Sequence, residues 1–146
     1  MGHVLVTGMS GAGKTTVLEE LAKAGYSTVD TDYDRWTTAD GSWNEARMTR
    51  LLASEAQVVV SGTVANQVLF YDRFAHVVLL SAPVEVLLER LRTRTNNPYG
   101  KTPEQQEDVR RYVREVEPLL RRAATLELDG RRPVADLVEA VARLLR

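Results

Sequence analysis

Near the start of the chain, Gly8-Met9-Ser10-Gly11-Ala12-Gly13-Lys14-Thr15 fits G-x-x-x-x-G-K-[ST] at every fixed position. The spacing has a physical reason. Glycines let the backbone curl around a phosphate with its N–H groups turned inward. A helix beginning where the loop ends adds unpaired N–H groups and a dipole that favours an anion. Lys14 sets an ammonium against the β- and γ-phosphates, and Thr15 offers a hydroxyl to Mg²⁺. Charge-assisted hydrogen bonds of this kind contribute roughly 1.5–3 kcal/mol each. Gly8, Ser10, Gly11, Ala12, Gly13, Lys14, Thr15 and Thr16 are therefore expected to hold the phosphates of ATP or GTP. A glycine turn with a chance lysine is the rival reading. The strand-like run before the loop and the helical pattern after it speak against that rival.

Asp30 and Asp32 flank Thr31 at the end of a second strand-like run. Residues two apart on an extended chain point the same way, so both carboxylates would face one pocket beside the phosphates. One could help hold Mg²⁺. The other could accept a hydrogen bond from a substrate hydroxyl and orient it or take its proton. A polar turn continuing through Asp34 and Arg35 is the plainer alternative. Farther along, Arg90, Arg92 and Arg94 lie in or just after one helix, followed by a loop to Lys101. Cations there could stabilise charge on a transferring phosphoryl group, and a closing lid would exclude water. A solvated helix end, where the dipole favours cations, explains them equally well. Arg90 and Arg94 share a face at i, i+4, whereas Arg92 does not.

Weaker candidates surround these. Arg47 follows the acidic pair and could reach an anionic acceptor or be a surface charge. Gly62 and Thr63, after Ser61, end the third strand where an acceptor would sit, and Asn66 and Gln67 are further candidate contacts. Trp36 and Trp43 line that site or simply pack. His3 and His76 read as structural.

The elements that position these residues alternate. Val4-Leu5-Val6, Ser27-Thr28-Val29, Gln57 to Gly62, His76 to Ser81 and Thr125 to Leu128 read as strands. Between them, helical spacing runs over Lys14 to Ala24, closed by Gly25, over Trp43 to Ala53, and from Pro83 to about Arg94. A short helix or turn covers Val64 to Arg73. Thr95 to Pro103 should be a mobile loop, and Glu104 to about Glu117 a charged, solvent-facing helix interrupted near Pro118. Val134 to Leu145 closes the chain as an amphipathic helix. Strands that are continuous apolar runs alternating with helices predict a parallel sheet covered on both faces. Ligands of such sheets sit at the carboxyl ends of the strands, which is where the polar clusters fall.

Composition narrows the class. A chain of 146 residues suits one domain, 1–146, and with 44% hydrophobic residues it can pack a core. The formal net charge of −1 argues against a dedicated nucleic-acid binder. With no cysteine, disulfides, thiolate metal sites and a cysteine nucleophile are excluded. Met1 to Thr7 lacks the pattern of a signal peptide, and no apolar stretch reaches membrane-spanning length. A cytoplasmic protein, monomeric by default, is expected.

With these residues in hand, the chain resembles shikimate kinase and the related small-molecule and nucleoside monophosphate kinases. The resemblance implies a P-loop NTPase fold: a three-layer α/β/α sandwich with a five-stranded, mostly parallel sheet and a short lid at about residues 94–103. Val29-Asp30-Thr31-Asp32 looks like the family's Asp-x-Asp segment, which would put Asp30 near Mg²⁺ and Asp32 against the acceptor hydroxyl. Glu45-Ala46-Arg47 is similar to the segment whose arginine binds the acceptor's carboxylate. Arg90 falls where the family has an arginine on the adenine face. Pro118 to Thr125 resembles the helix end before the last strand. Asp129-Gly130-Arg131-Arg132-Pro133 resembles the adenine-binding turn, with Arg131 at the nucleotide and Pro133 against the base.

The departures lie elsewhere. Shikimate kinases carry three glycines where this chain has Ser61-Gly62-Thr63. They place an arginine where it has Val116, and an Arg-Pro-Leu-Leu lid where it reads Thr95-Asn96-Asn97-Pro98-Tyr99-Gly100-Lys101. The expectation is a Mg²⁺-dependent, ATP-using phosphotransferase acting on a hydroxyl of a small metabolite other than shikimate. Lys14, Asp32, Arg92 and Arg94 would be its catalytic groups, Thr15 and Asp30 its metal ligands, and Asp32, Arg47, Gly62 and Thr63 its acceptor contacts. A nucleoside monophosphate kinase and an ATP-binding regulatory protein without an acceptor are the alternatives.

Overall fold

The structure, a computed structural model, describes residues 2–95 and 97–146. Met1 and Asn96, the latter within the expected lid loop, lie outside the described residues. Among those described, β1 (Val4–Thr7), β2 (Thr28–Asp30), β3 (Val59–Ser61), β4 (His76–Ser81) and β5 (Leu126–Asp129) form one sheet in the order β2-β3-β1-β4-β5. Every pairing in it is parallel. Val4, Leu5 and Val6 of the central strand are all fully buried, as a strand covered on both faces requires. Alternation then divides the core. Val4 and Val6 pack with Val17 and Leu21, while Leu5 between them packs with Trp43, Met48 and Phe70.

The connections are α1 (Lys14–Lys23), α2 (Glu45–Ser54), a 3₁₀ segment (Ala65–Arg73), α3 (Val84–Thr93), α4 (Pro103–Glu115), α5 (Glu117–Ala123) and α6 (Val134–Leu145). Their ends follow from local chemistry. Past α1, Gly25 takes a left-handed conformation (φ +97°), and the N–H groups of Gly25 and Tyr26 return to the carbonyls of Ala22 and Leu21. Thr102 caps α4, accepting from the Gln105 amide, with Pro103 in the first turn. Pro118 opens α5, where its missing N–H costs nothing. No helix among the described residues is long and apolar enough to cross a membrane.

Two expectations change. Trp43 does not begin a helix. Asn44 caps α2 instead, and Trp43 is buried ahead of it against Phe70, with ring centroids 5.8 Å apart. Nor is α4 purely solvent-facing, because Val109 is buried and, with Tyr112, turns toward a cavity at the phosphate loop.

Candidate active site

All five strands end on one edge, and the loop Gly8–Gly13 leaves the central one there. Gly13 holds a left-handed conformation (φ +107°) at the start of α1 and offers no side chain to cap it. The first N–H groups of α1, which have no partner within the helix, are thereby left for an anion. Thr63, directly after β3, fixes the loop's base. Its hydroxyl donates to the Gly8 carbonyl (2.6 Å) and accepts from the Gly8 amide (3.1 Å). Lys14 folds along the loop, donating from Nζ to the carbonyls of Gly8 (2.6 Å) and Met9 (3.2 Å). Burial lowers the pKa of its ammonium, opposed by the nearby carboxylates of Asp32 and Asp30.

The acidic pair divides its labour. Thr15 Oγ1 donates to Asp30 Oδ2 at 2.7 Å, and Asp30 Oδ1 accepts from the Asp32 amide at 3.1 Å. These hard oxygens suit Mg²⁺. No group of three or more His, Cys, Asp or Glu among the described residues could hold a metal. An ion at Thr15 would therefore take most ligands from phosphates and water, as Mg²⁺ commonly does. Asp32 sits farther out in the cavity mouth. Enclosure by protein raises the pKa of its carboxyl, offset in part by Lys14.

Two cavities meet at Ser10, Lys14 and Asp32. One, about 390 Å³, follows the loop past Thr15 and Thr16 to Arg90, Arg94, Gly130, Arg132 and Val134. The other, about 440 Å³, extends from Gly8 and Met9 past Thr63 and Val64 to Tyr99, Tyr112 and Val116. Arg90 ties the first together, donating to the carbonyls of Gly11 (3.1 Å) and Gly130 (2.7 Å). Arg94 lines the same cavity, its guanidinium held by the carbonyls of Asn97 (3.2 Å) and Tyr99 (3.0 Å). Burial lowers its pKa, with Tyr33 and Asp32 opposing.

Several expected contacts lie elsewhere. Arg92 pairs with Glu89 on the solvent side of α3, off the face that Arg90 and Arg94 share. Lys101 caps the end of α3, donating to the carbonyls of Arg92 (2.9 Å) and Arg94 (2.7 Å). Arg47 lies 3.8 Å over the Trp36 ring and donates to the Asp34 carbonyl (2.6 Å), lining a separate cavity behind Thr15 and Asp30. Gly62 is buried rather than lining the cavity. A Cβ there would stand 2.2 Å from Thr31 Oγ1 and 3.2 Å from Trp43 Nε1, so only glycine fits. Asn66 holds the Trp43 backbone on both sides, and Gln67 is buried against Thr7 and Tyr71.

Arg131 does not line the cavity along the phosphate loop. Asp129 captures it, accepting from its amide (2.9 Å) and its guanidinium (2.7 Å), which holds the Asp129 carboxyl down at about 2. Arg132 lines the cavity in its place. Pro133 starts α6, its carbonyl accepting from Asp136 and Leu137, and Val134 rather than Pro133 reaches the cavity wall. The apolar wall from α4 and α5 has no signature beyond helical spacing. The Asp129–Arg131 pairing was signalled by an aspartate two residues before an arginine in a glycine turn.

A glycine loop between the central strand of a parallel sheet and a helix, with a lysine and a threonine–aspartate pair at its end, defines a P-loop nucleotide-binding protein. The family profile described as AAA domain matches residues 4–114. A shikimate kinase from Aromatoleum aromaticum is 31% identical over 150 residues, covering 88% of this chain and 85% of that protein. Among solved structures, the shikimate kinase of Acinetobacter baumannii, in complex with shikimate, is 25% identical with a TM-score of 0.74, covering 99% of this chain and 93% of that one. A gluconokinase from Sinorhizobium meliloti is 26% identical with a TM-score of 0.66, covering 98% of this chain and 93% of that one. The chain belongs to the P-loop kinases of the shikimate kinase type. It is an ATP-using phosphotransferase.

Proposed function

We propose that the protein moves the γ-phosphoryl group of ATP to a hydroxyl of a small molecule other than shikimate. The observation that carries this is the meeting of two cavities at Ser10, Lys14 and Asp32. The loop amides, Arg90 and Arg132 would hold the nucleotide on one side, with the acceptor on the other. Lys14 would cross from its loop carbonyls to the transferring phosphoryl group and meet its growing charge. Asp32 would accept the hydroxyl proton, and its raised pKa brings it closer to the working pH of a general base. The acceptor oxygen bonds to the γ-phosphorus as the bond to the bridging oxygen breaks, and ADP leaves. Arg94, at the same mouth, would neutralise charge on the phosphoryl oxygens. Mg²⁺ held by Thr15 and Asp30 would supply further charge neutralisation when bound.

Dependence on ATP fits a cytoplasmic setting. The test is ADP release with Mg²⁺-ATP across hydroxy acids, sugars, nucleosides and nucleotides, with Lys14→Ala as control. Acceptor-dependent release lost in Lys14→Ala is the expected outcome. Tight ATP binding with release indifferent to every acceptor would instead favour a regulatory role.

A further inference from the structure

We infer that the acceptor is an uncharged alcohol carried on a flat or apolar ring. This rests on the reading of the Lys14–Asp32 junction as the transfer site. Among the described residues lining the acceptor cavity, Lys14 and Asp32 are the only charged ones. Both sit where this cavity joins the one along the phosphate loop, and Lys14 is committed to that loop. Away from that junction the wall is uncharged and mostly apolar. Val109 comes from α4, Leu120 from α5 and Val116 from the junction between them, and Tyr99 and Tyr112 add their rings to the lining. Val109 and Leu120 are almost fully buried, so this wall belongs to the core and is no loose surface. Aromatic walls of this kind favour a flat ring, which can stack or meet them edge to face.

A carboxylate or phosphate ester would find no cationic side chain along that wall, and an anion withdrawn from water without one is disfavoured. The arginines that could serve are engaged elsewhere. Arg47 is stacked on Trp36 in another cavity. Arg94 faces the nucleotide. Arg111, 5.3 Å from the Tyr112 ring centre, is paired with Asp108 at 3.0 Å and does not line the cavity. Asp32 itself would repel an anion. Hydroxyl chemistry at the Lys14–Asp32 junction and an uncharged, mostly apolar wall beyond it therefore select a neutral molecule.

The experiment is an ADP-release assay with Mg²⁺-ATP in two arms. The neutral arm holds ribonucleosides, deoxyribonucleosides, benzylic alcohols and aryl diols, which also separates nucleosides from simple aryl alcohols. The anionic arm holds shikimate, gluconate and nucleoside monophosphates. The best neutral compound should exceed every anionic one in kcat/KM by about 10-fold or more, the scale on which an unpaired buried group discriminates. Tyr112→Ala should raise the KM for that compound and leave the KM for ATP in place. Val116→Arg should shift preference toward the anionic arm. Turnover best in the anionic arm, or a neutral arm flat throughout, overturns the inference. Anionic turnover abolished by Asp32→Asn would remove only this inference and leave the hydroxyl-transfer reading standing. Turnover unaffected by Asp32→Asn would remove that reading.

Discussion

Thr31 lies between the two aspartates and is almost fully buried, so its replacement by valine tests how the fold holds the site. Valine keeps the shape and removes the hydroxyl. That hydroxyl donates to the Ser61 carbonyl at 2.7 Å and accepts from Trp43 Nε1 at 2.9 Å. Without it, the indole N–H is orphaned inside the core, at a cost of about 1–3 kcal/mol. The Ser61 carbonyl keeps the Thr31 amide at 3.0 Å, so losing the second bond costs only about 0.5–1.5 kcal/mol. The added methyl returns up to about 0.8 kcal/mol. The net loss is about 1–4 kcal/mol, or roughly 3–12 °C in Tm for a chain of this size. Asp30 and Asp32 lose the anchor between them, so kcat should fall about 10-fold or more while the KM for ATP stays within twofold, about the reach of a small misplacement of a catalytic group. Urea unfolding with an unchanged m-value, read beside steady-state kinetics, measures both. A variant within about 0.5 kcal/mol of the parent, the range of ordinary surface substitutions, and with full kcat would refute the coupling.

Further outcomes follow from the same geometry. Arg90→Met should weaken ATP binding about 10-fold, the equivalent of about 1.4 kcal/mol, and leave the acceptor KM unchanged, as read by titration and kinetics. Arg132→Ala should raise the KM for ATP and Arg131→Ala should not. The reverse would mean that the Asp129 pairing does not hold in solution. Because enclosure raises the Asp32 carboxyl, kcat/KM should fall with pH through a value above the ordinary carboxylate range, and Asp32→Asn should abolish that limb. The sign for stability is opposite: the folded state binds that proton more tightly, so Asp32 lowers stability as pH rises through its raised pKa. Asp32→Asn should therefore melt higher than the parent at pH 8, measured by calorimetry, with no advantage at pH 3.

The phosphate loop and the alternation of strands and helices were legible because each rests on chemistry fixed at short range. A loop motif is local, and a strand such as Val4-Leu5-Val6 shows its burial in its own residues. Asp30 beside Thr15 was legible from period-two spacing and resemblance. Long side chains were not, because each arginine reaches several partners and the fold decides among them. Arg47 found Trp36, Arg92 found Glu89, and Arg131 found Asp129, all partners outside the transfer site. Gly62 has its meaning only through Thr31 and Trp43, brought together by the β2–β3 pairing. The proposed acceptor wall escaped for a similar reason: Val109, Tyr112 and Val116 read as one side of a charged helix until the fold turns that side toward the loop.

Phosphoryl transfer is proposed to take place at the Lys14–Asp32 junction. Following the label from γ-³²P-ATP tests it most directly, with an acceptor from the panel and the parent, Lys14→Ala and Asp32→Asn proteins side by side. Label should reach the acceptor with the parent, be lost in Lys14→Ala, and fall by about 10²- to 10⁴-fold in Asp32→Asn, the range of a general base. Label appearing only in inorganic phosphate, or in the acceptor at equal rates in parent and Asp32→Asn, would contradict it.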